Sequence, residues 1–298
     1  MPVFAVMMGV MLGWTAGMAN GASASGLVAH EQPPAPKNPE LEKLLDAIEA
    51  AGKAKKYEEV LKLTAKAAAL DPKNPAIPYA AGVAHAGLRQ HAEAVKAFSE
   101  VIQLEPQAAI AYDRRGDAYL KLGRFTEAIA DFDAYLKARP QDKPEHWRRG
   151  IALYYAGRFP EGVEQFELHR TVNPEDVENS VWHYLCNARA HNRQKARQQL
   201  IPVTQDDRVP MKQVLELFAG KIQPQDVLEA VEKAALKDDK LREARFYGHL
   251  YVALYYDSEG DTQKSREHLT TAVEKYKIGH YMWDVAAVHL QLLKDKKK

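Results

Sequence analysis

The chain has 298 residues, 46% of them hydrophobic and 27% charged, which excludes both a disordered polymer and a multi-span membrane protein. Its 41 Lys and Arg stand against 40 Asp and Glu, and a net charge of +1 supplies no global field for nucleic acid or an anionic membrane surface. The single cysteine, Cys186, excludes an internal disulfide or a zinc cluster and reads as a small buried apolar side chain.

At the N-terminus, Val3 to Trp14 form an apolar run of the length of a signal-peptide core, too short for a comfortable membrane span. Ala22-Ser23-Ala24 fits a cleavage site, so residues 1–24 are expected to direct secretion or periplasmic residence in a cell envelope. No Lys or Arg precedes the run, so either the start lies upstream or the signal is unusual; an uncleaved anchor is the rival reading. Residues 25–40 carry Pro33, Pro34, Pro36 and Pro39 and read as a stiff linker.

A repeat follows. Asp71-Pro72, Glu105-Pro106, Arg139-Pro140 and Asn173-Pro174 recur every 34 residues, and Gly82, Gly116 and Gly150 keep the same period, as do Phe98, Phe132 and Phe166. The prolines close helices. A helical glycine costs about 1 kcal/mol against alanine, so its recurrence predicts close approach of a neighbouring helix. Phenylalanine four residues after Ala94, Ala128 and Gly162 puts small and large side chains on one stripe. Units of two antiparallel helices are expected near 41–74, 75–108, 109–142 and 143–176, with a partial one at 177–192. A divergent helical segment spans 193–245, with Pro224 in a first turn. A helix pair turning at Gly260-Asp261 and a capping helix from Tyr281 to Leu293 complete 246–293. Lys294 to Lys298 read as a solvated end.

Gly, small residue, Phe and Pro at this spacing resemble the tetratricopeptide repeat, which implies an all-α solenoid of antiparallel helix pairs. The copy 109–140 matches best, with Tyr112, Gly116, Tyr119, Gly123, Ala128, Phe132 and Pro140. From about Pro75 to Leu293 the chain is similar to the new lipoprotein I type of bacterial envelope repeat protein. The stretches that carry this are Arg149–Arg158, Val181-Trp-His-Tyr-Leu185, Val214–Ile222 and Phe246–Tyr256 with Gly260-Asp261. The resemblance implies an envelope adaptor that brings a cell-wall endopeptidase to a tail-specific protease. No cysteine suited to lipid attachment lies near the N-terminus, so outer-membrane anchoring does not carry over.

Catalytic motifs are missing from the sequence: no phosphate-cradling glycine loop, nucleophile elbow or metal-binding His pair occurs. His85, His91, His280 and His289 read as surface or half-buried, and Arg114-Arg115 and Arg148-Arg149 as structural. No enzyme, cofactor or metal is expected. The expected activity is the binding of a protein or peptide in the groove lined by first helices. Asp113, Asp117 and Lys121 share one helical face, and Trp147, Ile151 and Tyr155 are their equivalents one unit later, with Arg148 at the edge. Aromatic residues and Arg are frequent binding hot spots. The competing reading has Trp147 and Tyr155 covered by the chain's own C-terminal helices. The alternative function is self-association, as a homodimer, through a Tyr251/Tyr255/Tyr256 surface.

Overall fold

The computed structural model describes residues 38–295, and every regular element among them is helical. The signal peptide and the linker up to residue 37 lie outside the described residues, as do the last three lysines. In chain order the helices are α1 (Pro39–Lys53), α2 (Tyr57–Leu70), α3 (Ala76–Gly87), α4 (His91–Leu104), α5 (Ala109–Lys121) and α6 (Phe125–Ala138). They continue as α7 (Trp147–Tyr155), α8 (Phe159–Arg170), α9 (Val177–Ala190), α10 (Arg193–Gln198), α11 (Met211–Phe218) and α12 (Pro224–Lys233). The last three are α13 (Asp238–Glu259), α14 (Thr262–Thr270, followed by a π turn over Thr271–Lys275) and α15 (Tyr281–Asp295). Helix α1 begins two residues inside the stretch read as linker. Asn38 accepts from the Glu40 and Leu41 amides, and Pro39 fits a first turn, where its missing N–H is no loss.

The chain divides into two compact units, Met1–Ala111 and Tyr112–Lys298. The described part of unit one contains the hairpins α1/α2 and α3/α4 around an alanine-rich cluster that includes Ala51, Ala67, Ala80 and Ala84. Unit two contains the remainder of α5 and the helices α6 to α15, with one continuous core.

Within each hairpin the periodic glycine has a physical cause. A methyl group on Gly82 would lie 2.6 Å from the Phe98 ring, and one on Gly150 would lie 2.6 Å from the Phe166 ring. At Gly116 the same atom would meet Phe132 at 2.8 Å. Each ring comes from the second helix of the hairpin and fills the space beside the glycine of the first. Burying such a ring is worth about 2–3 kcal/mol, which outweighs the ~1 kcal/mol penalty of a helical glycine.

Helix α9 is the axis of unit two. Every residue from Asn179 to Asn187 is buried, as expected of a helix packed on all sides. Its buried polar groups find internal partners: Ser180 donates to the Ile201 carbonyl (2.7 Å) and Asn179 Nδ2 to the Phe166 carbonyl (3.2 Å). Cys186 is buried against Gly162, where an added methyl would come within 2.6 Å of its sulfur.

Candidate peptide-binding site

In unit two the surface expected to be an open groove is partly filled by α15. The Tyr281 ring meets Trp147 edge-on with centroids 4.8 Å apart, and the Lys121 ammonium lies 4.6 Å from the same tyrosine ring. Further along α15, His289 Nδ1 is 3.0 Å from the Tyr155 hydroxyl, and the two rings pack edge to face. His289 is buried, which corrects its reading as surface or half-buried; as the partner of a half-buried tyrosine it belongs to the core. Met282, Val285, Ala286, Leu290 and Leu293 join the core beneath.

The charged residues expected to edge the groove are instead paired to one another. Asp113 is buried and accepts from Arg148 (2.8 Å) and His146 (2.9 Å), while Lys121 donates to Asp117 (2.9 Å) and Arg148 Nη1 lies 3.6 Å from Asp117. Burial would raise the pKa of Asp113, but the His146 hydrogen bond and the Arg148 charge more than offset it and hold the carboxyl at about 2. Asp117 is likewise held low against burial, by Lys121 and then Arg148. Asp113, Asp117, Lys121 and Arg148 therefore form a structural ion cluster. Of the groove residues, Ile151 is only 1% exposed and Tyr155 is engaged by α15, so neither presents a free side chain as packed. The arginine pairs are anchored too: Arg115 bonds Asp131 and Arg149 bonds Asp133. Tyr251 is fully buried and donates to Glu178, so it contributes nothing to an association surface.

What remains open is a cavity of about 230 Å³ beside the start of α15. Trp147, Ile151, Phe166, Trp182 and Met282 supply its apolar wall. Asp176, Glu178, Asn179, Arg208 and the histidines His169 and His280 supply the polar part. Two of the expected residues, Trp147 and Ile151, thus line this cavity; the other five do not.

Local structure places each polar group. Asp176 caps α9 by accepting from the Glu178 amide at 3.0 Å, which fixes both carboxylates at the helix entrance. The segment between α10 and α11 carries Arg208 back to that entrance. Its guanidinium donates to Asp176 (2.8 Å), Glu178 (2.8 Å) and both oxygens of Asp206 (2.9 and 2.7 Å). Burial, reinforced by the Asp176 charge, raises the pKa of Glu178 to about 7 in spite of Arg208 and the Tyr251 hydroxyl. One turn along α9, Asn179 Oδ1 and Trp182 Nε1 are buried without a hydrogen-bond partner. The amide orientation of Asn179 follows from the bond its nitrogen makes to the Phe166 carbonyl, which leaves Oδ1 as the unmatched acceptor.

Sequence reasoning missed Asn179, Glu178 and Arg208. The signal available was the polar run Asp206-Asp207-Arg208 within an otherwise helical region, together with Asp176 and Glu178 flanking a helix start. A second cleft, on α12 and α13, also measures about 230 Å³, but its charges are matched internally, Lys233 to Glu229 and Arg245 to Glu232. Among the described residues no group of three or more His, Cys, Asp or Glu could hold a metal ion, and no helix is long and apolar enough to cross a membrane.

Comparison with known proteins agrees with this architecture. Residues 79–143, spanning α3 to α6, match the tetratricopeptide repeat family. The structure is similar to that of a tetratricopeptide repeat protein from Parabacteroides merdae, with a TM-score of 0.57 and 14% identity over 85% of this chain and 98% of the other. The fold is that of the tetratricopeptide repeats, an all-α solenoid of helical hairpins. It is similar as well to MamA from Desulfovibrio magneticus, with a TM-score of 0.51 and 22% identity over 54% of this chain and 91% of the other. At these identities the likeness is one of fold. No curated protein matches the chain.

Proposed function

We propose that this protein is a non-enzymatic scaffold that holds a peptide segment of another protein in the cavity formed by α7, α9, the Arg208 segment and the start of α15. The observation that carries this reading is the pairing of aromatic walls, Trp147 and Trp182, with two buried polar atoms that lack partners, Trp182 Nε1 and Asn179 Oδ1. A donor and an acceptor three residues apart on one helix face can take a carbonyl and an N–H of a bound peptide. Leaving both unmatched costs roughly 1–3 kcal/mol each, which a bound peptide recovers. The test is retention of a random peptide pool on the immobilised full chain and on Trp147→Ala. Peptides lost from the variant support the site; equal retention on both removes it.

The cellular setting is read from the sequence. The apolar N-terminal run and the Ala22-Ser23-Ala24 site support export, and fractionation of cells making the full chain tests it, with recovery in the cytosol counting against it. The resemblance at Val181–Leu185 and Val214–Ile222, which no repeat period imposes, supports a narrower role in presenting a cell-wall endopeptidase to a protease. Degradation of a purified endopeptidase by its protease, with and without this chain, measures that role directly. An unchanged rate leaves the general scaffold reading and discards the narrower one.

A further inference from the structure

We propose that the cavity selects a basic side chain, a lysine or arginine of the bound peptide, held between aromatic faces and carboxylates. The inference rests on the peptide reading above and adds the chemistry of the residue recognised. Three observations point to a cation. Asp176 and Glu178 line the cavity and, with Asp206, surround a single guanidinium, so the carboxyl groups outnumber the positive charge there. Arg208 commits four of its five N–H groups to those three partners, so its charge is largely satisfied within the protein. Trp147, Trp182 and Phe166 line the same cavity, and aromatic rings attract an organic cation.

The unmatched buried atoms complete the assignment. Asn179 is 4% exposed and Trp182 is 2% exposed, and both line the cavity. Asn179 Oδ1 accepts from an ammonium or guanidinium N–H, and Trp182 Nε1 donates to the carbonyl of the same residue. A purely apolar side chain would leave Asn179 Oδ1 without a donor.

The experiment uses the ¹⁵N-labelled full chain titrated with acetyl-Ala-Lys-Ala-amide, its norleucine counterpart and its glutamate counterpart. The readout is the Trp182 indole resonance, assigned by its loss in Trp182→Phe. The expected result is saturable shift of that resonance by the lysine peptide, with the norleucine peptide about tenfold weaker. In Asp176→Asn, which keeps a good helix cap, the preference for the lysine peptide over the norleucine peptide is expected to be lost. Equal binding of the lysine and norleucine peptides overturns the cation assignment and leaves the peptide site standing. Preference for glutamate overturns it in the same way. A Trp182 resonance that moves with none of the three overturns both.

Discussion

Gly150, inside α7, and Gly157, just past its end, require glycine for opposite reasons. Gly150 sits in a helix where a methyl would strike the Phe166 ring, whereas Gly157 has φ +75° and open space around it. Gly150→Ala gains about 1 kcal/mol of helix propensity but overpacks the ring at about 1–3 kcal/mol, so net destabilisation is expected in chemical denaturation. Gly157→Ala is expected to lose about 1–2 kcal/mol through its left-handed backbone alone. The two are separated by adding Phe166→Leu, which should make the loss at 150 smaller and leave that at 157 unaltered. Glu178 gives a second prediction at this scale. Its carboxyl ionises near pH 7 in the folded chain against an ordinary value of 4.5, so the unfolded chain releases its proton first as pH rises. Native stability from this group is therefore greatest below 4.5, falls between 4.5 and 7, and stays reduced above. Glu178→Gln removes that fall. Its unfolding free energy should gain on the parent between pH 5 and pH 8, by an amount on the order of 3 kcal/mol at full development. A difference that is flat with pH would contradict the raised pKa.

Helix α15 decides what the repeat surface can do. Its Tyr281 and His289 occupy Trp147 and Tyr155, and its apolar residues enter the same core as α9. Hydrogen exchange should therefore find α15 amides as protected as those of α9, exchanging only with unfolding of the unit. Fast exchange confined to α15 would mean that it is a detachable cover. The sequence offers this covering of Trp147 and Tyr155 only as the competing reading, which the contacts of α15 bear out, and gives none of its pairings. The hairpins were legible because their signals are local and repeated: Gly82 with Phe98, Gly116 with Phe132, and Gly150 with Phe166 are separated by one helix turnabout. The Tyr155–His289 contact joins residues 134 apart with no period linking them, so spacing could not reveal it. A hint was present in the composition of α15, whose apolar residues at Met282, Val285, Ala286, Val288 and Leu290 wrap more than half its circumference. The Arg208 cluster was hidden for the same reason, since its carboxylates come from both sides of α9 and α10.

The two units differ in what holds them. Unit one has a cluster dominated by alanine and buries few large rings, Tyr79 and Phe98 among them, while unit two buries Trp182, Tyr184, Tyr251 and several phenylalanines. Larger side chains bury more apolar area per residue, so unit one is expected to unfold at lower denaturant. The described tryptophans, Trp147, Trp182 and Trp283, all belong to unit two. With Trp14→Phe in place, fluorescence should report only the later transition and far-UV circular dichroism both, giving non-coincident curves. Superimposable curves would show that the units melt together.

Repeat proteins lengthen by duplicating their unit, and most tolerate it because each copy touches only its neighbours. Unit two has given up that freedom. Its last helix reaches back to a particular first helix, matching Tyr281 to Trp147 and His289 to Tyr155. A duplicated 34-residue segment placed after Asn173 would offer that helix two rival seats and fill only one. The terminal helix thus counts the repeats, and copy number here is set by the side chains that receive it.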